Sequence, residues 1–467
     1  MSTTWRPDPT FYPSPRQAMS APRETLGYVA LLEPDQTSRP DAIGTVDLDP
    51  SSSTYGTLLH TAEMPSPGDE LHHFGWNACS ATLCPSSPHP HVERRYLIVP
   101  GLKSSDIHIL DTKDDPAAPK LVHTVSAEEV ADRAGYTRPH TVHCGPDALY
   151  VSALAGTGPA EAPGPGGVFL VDHESFEVRG QFEIDRGDQE LAYDFWWHLG
   201  WDTMLTSEWA PPRLMENGLV PEALLGRQYG HRLHVWDLRR RRRIQALDLG
   251  DNHQMVLELR PAHDPRKTHG FVGVVIDVEN LAASVWTWWR DGDRWDVRKT
   301  IEIPARPAAA DDLPPLLAGF GAAPPLVSDI NLSLDDRWLY VSCWGTGELR
   351  QYDVSDPFAP KHTGTVDLGG IAKSAPHPKS GPLNGGPQMV EVSRDGRRVY
   401  VSNSLYSTWD EQFYHQGLDP WLAKLDVGAD GALTVDEDFL VTDFGGRRAH
   451  QVRLNGGDTS SDSFCYP

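Results

Sequence analysis

At 467 residues with 39% hydrophobic side chains, 15 Trp, 14 Tyr and 13 Phe, the chain has the apolar material of a folded protein and not of a disordered one. A formal charge of −24 repels nucleic acid and anionic lipid, which sets both aside as partners. The 41 Gly and 40 Pro are spread along the chain, as many short strands joined by turns require, and leave little room for long helices.

In chain order, residues 1–16 carry polar side chains and prolines where a secretion signal has an apolar core, and no later stretch reaches membrane-spanning length. The expectation is a cytoplasmic protein without membrane insertion. The five cysteines are odd in number and do not form a disulfide framework, in keeping with a reducing compartment. Cys79 and Cys84 stand C-x4-C with no second such pair, which argues against structural zinc.

The runs 27–33, 42–47 and 55–64 have the order of the second, third and fourth strands of a four-stranded blade, with no first strand before them. From there one unit recurs. Its second strand reads 95–100, 149–152 (Leu-Tyr-Val-Ser), 204–207, 271–275, 339–342 (Leu-Tyr-Val-Ser) and 399–402 (Val-Tyr-Val-Ser). Its third strand reads 107–111, 168–172, 233–237, 284–288, 349–353 and 422–426. Even a turn repeats, at 111–120 and 353–361. The run Arg239–Arg243 falls between two strand-like segments and reads as a solvated hairpin tip. Residues 449–454 supply the missing inner strand. The expected fold is therefore all-β, a single seven-bladed β-propeller over residues 1–467, its closing blade assembled from 24–64 and 449–457.

The first strand of each blade lines the axis, so the inner strands should start near Leu71, Pro139, Tyr193, Val256, Val327, Pro387 and Ala449. Their opening residues share one mouth: His72, His73, His140, Asp194, Glu258, Asp329, Gln388 and His450. Long insertions at 156–167, 208–231, 305–325, 368–386 and 403–421 fall on the same face and can form a lid. Imidazoles from several strands, with carboxylates between them and few sulfurs, suit a borderline transition metal such as copper, zinc or iron. The bland alternative is a polar channel whose histidines bond water and carbonyls.

Neighbouring strand residues point to opposite faces, so His72 with His73, unless the strand begins irregularly, and likewise His140 with His143, should each offer one ligand and one support. His263, at the far end of its strand, reads as structural. Cys79 and Cys84 belong to the opposite face, Cys343 and Cys465 read as inert, and Cys144 is the thiol to test for reactivity. The Trp-rich stretches 195–198 and 286–289 should pack between blades.

The strings Asp69-Glu70-Leu71-His72-His73-Phe74-Gly75-Trp76-Asn77, His140-Thr141-Val142-His143-Cys144, Tyr193-Asp194-Phe195-Trp196 and Ser207-Glu208-Trp209-Ala210-Pro211 resemble the selenium-binding protein and methanethiol oxidase family. So do residues 329–337, 349–357, 385–389, 404–410 and 456–462, and the resemblance covers nearly the whole chain. It implies a propeller that oxidises methanethiol with oxygen and water to formaldehyde, hydrogen sulfide and hydrogen peroxide, with copper as cofactor. The family's histidines fall on His72, His73, His140, His143, His263 and His450, and all but His263 enter the expected metal set. Gly56 stands where vertebrate members carry the cysteine linked to selenium, and the cysteine pair at Cys79 is more widely spaced. The resulting expectation is a copper-dependent thiol oxidase acting on a small thiol and oxygen, with Glu208, Asp329 or Glu258 handling protons and Asp194 a weaker candidate. A metal- or selenium-binding propeller without turnover is the alternative, and a calcium-dependent propeller lactonase a third.

Overall fold

The computed structural model describes residues 6–85, 87–159 and 162–467. Residues 1–5 of the polar N-terminal stretch and two residues of the 156–167 insertion lie outside them. Seven four-stranded antiparallel sheets surround one axis, each running from an inner to an outer strand. Blade 1 begins with the short inner strand Gly75–Trp76, blade 2 with Tyr136–Cys144, and blade 3 with Phe195–His198. The inner strands of blades 4, 5 and 6 are His253–Pro261, Val327–Leu332 and Val390–Val392. In blade 7 the inner strand is Arg448–Leu454, which pairs with Leu26–Leu32 in the register Gly27 to Leu454 and Val29 to Val452.

Burial follows this order. Val327–Leu332 and Arg448–Leu454 are buried at every residue, whereas the outer strands Arg294–Ile303 and Lys361–Asp367 alternate with solvent. An inner strand is covered by its neighbours on both faces, so its sequence loses the alternation that an outer strand keeps. The faces between blades are filled by apolar side chains, for example Phe271, Val285, Ile301, Val327, Ile330 and Val341 between blades 4 and 5. Arg239 and Arg240 project into solvent from the hairpin joining Arg232–Asp237 to Arg242–Asp248.

Beyond Leu454 the chain crosses the lower mouth of the channel. Asp462 pairs with Arg94 of blade 1 at 2.5 Å and with Arg394 of blade 6. The Ser463 hydroxyl accepts from the indoles of Trp196 and Trp197 at 2.9 Å.

The cysteines overturn one expectation. Cys79 is joined to Cys144 and Cys84 to Cys465, with Cα separations of 6.0 and 5.5 Å, and only Cys343 is free among the described residues. The loop between the first and second strands of blade 1 lies against the lower end of the blade 2 inner strand, and the returning tail reaches the same loop. Cys144 is therefore not a reactive thiol here, and the argument from free thiols to a reducing compartment falls away.

Two outcomes follow from the closure. Deleting residues 449–467 should abolish soluble folding, read by circular dichroism and size-exclusion chromatography; a truncated protein melting with the full chain would show that closure is dispensable. Burial opposes the charge on Asp462, but Arg394 and Arg94 outweigh it and hold the carboxyl at about 2. This depressed value stabilises the fold above the unfolded value of about 3.9 and ceases to do so as pH falls from there toward 2. Asp462→Asn should cost about 3–5 kcal/mol at neutral pH by leaving two buried guanidinium groups unpaired. Its deficit relative to wild type in urea unfolding should shrink at pH 3, and a deficit independent of pH would contradict the assignment.

Candidate functional site

The upper mouth gathers four imidazoles. His140 comes from blade 2 and His450 from blade 7, while His72 and His73 lie just ahead of blade 1's inner strand. Ring centres are 4.4 Å apart for His72 and His450, 4.2 Å for His73 and His140, 5.7 Å for His72 and His140, and 5.9 Å for His73 and His450. Sequence reasoning expected one ligand and one support from His72 and His73, but both face the ring. Between an isolated bridge at Leu71 and the first paired residue, Gly75, the backbone follows no strand ladder, so the alternation of faces does not apply.

All four rings are buried, and each Nε2 lacks a hydrogen-bond partner. The opposite ring edges of three of them are anchored. His450 Nδ1 donates to the Ser404 carbonyl at 2.7 Å, leaving its lone pair on Nε2. His73 and His140 place Nδ1 3.2 Å from the shared Thr141 hydroxyl. Burial, reinforced by the neighbouring imidazoles, holds His73, His140 and His450 well below the usual imidazole value, so they are neutral at pH 7. Each buried unpaired polar atom costs about 1–3 kcal/mol, and neutral imidazole nitrogens left unpaired near one another are what a cation satisfies. Among the described residues, no group of three or more His, Cys, Asp or Glu side chains stands in a geometry that could hold a metal ion without rearrangement. With metal–nitrogen bonds of about 2.0 Å, imidazoles sharing an ion carry ring centres on the order of 5 Å apart, inside the spread seen here. The donor set therefore fits a borderline transition metal after small ring movements.

His143 stands apart. A bulge between Pro139 and Val142 turns the strand, and His143 lies against Trp196 at 4.2 Å with Nε2 3.8 Å from Asp194. His263 is at the lower mouth, its Nε2 3.1 Å from the Leu332 carbonyl and its ring near Phe464.

The expected carboxylates divide. Glu258 is 3.3 Å from His73 Nε2, accepts from the Tyr193 hydroxyl at 3.0 Å, and meets Arg260 at 3.1 Å. Burial, and then the charge of Asp194, pushes it up to about 8. Asp329 pairs with the other arm of Arg260 at 3.1 Å and accepts from the Val390 backbone at 2.7 Å, one layer below. Asp194 holds the backbone of Leu259 and Phe195, both at 2.8 Å. Glu208 is outside the ring: it accepts from His234 at 2.8 Å and from the backbone of His231 and Arg232 at 3.2 Å, which pins the following insertion.

Sequence reasoning missed Glu70 as a site residue. It is 3.5 Å from His72 Nε2, bonds Lys103 at 2.9 Å, and accepts from the Ser407 backbone at 2.7 Å. Burial would raise its pKa, but His72 and Lys103 hold it at about 2. Its signal was adjacency to the histidine pair.

Above the ring, the expected lid is present and apolar. Trp209, Leu214, Leu219, Leu317, Trp409 and Phe413 pack together, and the helix Ser407–Phe413 lies among them. They close a cavity of about 20 Å³ lined by His72, His450, Tyr193, Leu257, Leu326 and Trp344, among others. That is room for roughly one water-sized molecule. The Tyr406 hydroxyl, Trp209 Nε1 and Gln388 Oε1 are also buried without partners here. A small ligand, mostly apolar with one coordinating atom, matches this enclosure.

Residues 5–465 match the family described as 56 kDa selenium binding protein (SBP56). The chain is 37% identical to a methanethiol oxidase of Xenopus laevis and 38% identical to one of Bos taurus, with 97% of each chain covered. It is 37% identical to selenium-binding protein 2 of Mus musculus over the same shares. A crystal structure of a hypothetical selenium-binding protein from Sulfolobus tokodaii superposes with a TM-score of 0.95 at 55% identity, covering 98% of this chain and 100% of that one. A putative 6-phosphogluconolactonase from Bacteroides uniformis reaches a TM-score of 0.54 at 10% identity over 92% of this chain and 99% of its own, a likeness of fold alone.

Proposed function

The chain belongs to the 56 kDa selenium-binding protein family, and from that premise we propose that it is a methanethiol oxidase whose copper is held by His72, His73, His140 and His450. The observation that carries this reading is the set of four buried Nε2 atoms without hydrogen-bond partners, on rings of which two, His72 and His450, line a cavity sized for one small molecule. Relatives named methanethiol oxidase, 37–38% identical over nearly their full length, support the substrate. The reaction converts methanethiol, oxygen and water to formaldehyde, hydrogen sulfide and hydrogen peroxide; carbon loses two electrons and oxygen gains two. Bound copper would supply a Lewis acid for the thiol sulfur and a redox couple toward oxygen.

The protein's own groups account for the remainder. Leu257, Val275 and Leu326 offer an apolar wall for the methyl group, and the small cavity excludes larger thiols. The lid keeps bulk water from the site, which strengthens the polar interactions inside it. Glu258 stands behind the cavity wall, in contact with His73, and is the carboxylate placed to take the thiol proton by way of Tyr193, whose hydroxyl would pass its own proton to Glu258 as it receives the thiol's. Asp329 acts through Arg260 by fixing the face that Glu258 presents. Glu208 serves the lid.

His140→Ala or His450→Ala should lower copper affinity by about tenfold or more, and thiol-dependent oxygen uptake should fall with it. His263→Ala should spare both. The check is metal content of tag-free protein, oxygen-electrode rates on methanethiol, and circular dichroism for each variant. Copper bound by the wild type without turnover would replace the oxidase by a metal-binding propeller. Full copper retention in both ring variants would overturn the ligand set.

A further inference from the structure

At the opposite mouth lies a second group of imidazoles that the proposed reaction does not use. His89 and His91 sit on the loop after Cys84, where the His89 carbonyl accepts from the Val92 backbone at 3.3 Å. The same loop is tied to blade 2 by the Ser87 hydroxyl, which donates to the Pro146 carbonyl at 2.7 Å. His173 faces it from the turn between the third and fourth strands of blade 2, Gly167–Val171 and Val178–Gln181. The His89 ring centre is 6.0 Å from that of His91 and 6.2 Å from that of His173. Glu174 adds a carboxylate, 3.3 Å from His91 Nε2.

His173 distinguishes this group from a chance surface cluster. It is 1% exposed, and its Nδ1 donates to the Asn77 carbonyl at 2.7 Å. Asn77 in turn donates from its side chain to the His173 carbonyl at 3.3 Å, and its side-chain oxygen accepts from the Arg95 and Tyr96 backbones. The ring is thus locked as the tautomer with hydrogen on Nδ1, and its Nε2 lone pair is buried without a partner. An imidazole whose far nitrogen is fixed by a carbonyl is the usual form of a metal-binding histidine.

We propose that His89, His91 and His173, with Glu174, form a second site for a borderline divalent transition-metal ion, Cu2+ before Zn2+ in affinity. Three imidazoles and one carboxylate are the donors such ions favour, and the order of affinity follows the general trend for nitrogen and oxygen sites. The ring centres of His91 and His173 each stand roughly 1 Å farther from that of His89 than the ~5 Å of imidazoles sharing an ion. His91 and Glu174 are half-exposed at 50% and 57% and can turn inward, while His173 supplies the fixed ligand. The inference is independent of the oxidase reading, since it uses no residue of the upper ring.

The experiment titrates tag-free, metal-stripped full-length protein with Cu2+, and separately with Zn2+, against a chromophoric chelator that suppresses weak surface binding. The variants are His89→Ala/His91→Ala, His173→Ala and the upper-ring pair His140→Ala/His450→Ala. The expected result is loss of one equivalent in each of the first two variants, with the ring's equivalent kept. The ring pair should retain the lower equivalent, and the Cu2+ electron paramagnetic resonance signal that remains there should show coupling to imidazole nitrogen. The loop variant is the safeguard if His173→Ala loosens the Asn77 contact, because His89 and His91 lie on a surface loop. Unchanged stoichiometry in His89→Ala/His91→Ala would overturn the site, and so would loss of its equivalent in the ring pair alone.

Discussion

Pairing of Arg448–Leu454 with Leu26–Leu32 is the constraint on which the molecule rests, because it closes the ring of blades and builds the candidate site in one step. His450 lies on that closing strand, and before closure it is nearly four hundred residues of chain away from His72 and His73. The imidazole cluster is therefore incomplete in a partly assembled propeller, which lacks His450. The same segment continues into the tail whose Asp462 joins Arg94 to Arg394 across the lower mouth. Closure is thus fastened by backbone bonds along the strand and by a buried ion triad below it, and loosening either separates His450 from the other imidazoles.

Beneath the imidazoles the axis is filled with charge. Arg260 meets Glu258 and Asp329 at 3.1 Å and Asp194 at 3.6 Å, while Arg453 meets Glu391 at 2.6 Å. Such pairs are weak sources of stability, since desolvation offsets most of their attraction. Burial raises the pKa values of Glu258, Asp194 and Asp329, which marks an axis with more carboxylates than its arginines neutralise. A propeller core could have been filled with aliphatic side chains at lower electrostatic cost. The polar axis instead orients the groups around the ring: Tyr193, Glu258 and His73 form a chain whose far end is fixed by Arg260.

The seven blades were legible because Tyr-Val-Ser strands and Asp-terminated strands recur with the spacing that a four-stranded blade imposes, and an incomplete unit at one end demanded a partner at the other. The approximate ring was legible for the same reason, since inner strands deliver their first residues to one mouth. Features set by departures from that regularity were not. His72 and His73 both face inward because the chain there follows no ladder, and Glu70 escaped notice because it precedes the strand. Glu208 seemed to belong to the mouth by position, yet its carboxylate is taken by His234 and two backbone amides. The disulfides were invisible because their partners are 65 and 381 residues apart, one pair meeting only when blades 1 and 2 pack together and the other only after the tail returns past the closing strand.

Glu70 shows how the two halves of the site depend on each other. Its residue takes a positive φ of 53°, an uncommon backbone conformation for a glutamate, and in that pose its carboxylate reaches three elements. One is the His72 ring at 3.5 Å, one is Lys103 of blade 1, and the third is Ser407, bonded through backbone and hydroxyl at the start of the lid helix Ser407–Phe413. His72 Nε2 has no hydrogen bond, so the carboxylate presents charge to it without occupying the nitrogen. An ionised Glu70 lowers the electrostatic cost of a cation at the ring, and the same charge draws in the lid through the Ser407 amide. Lid seating and the electrostatics of the imidazole ring are therefore coupled through one buried carboxylate, and a change of charge at the ring and a displacement of the lid act on the same set of bonds.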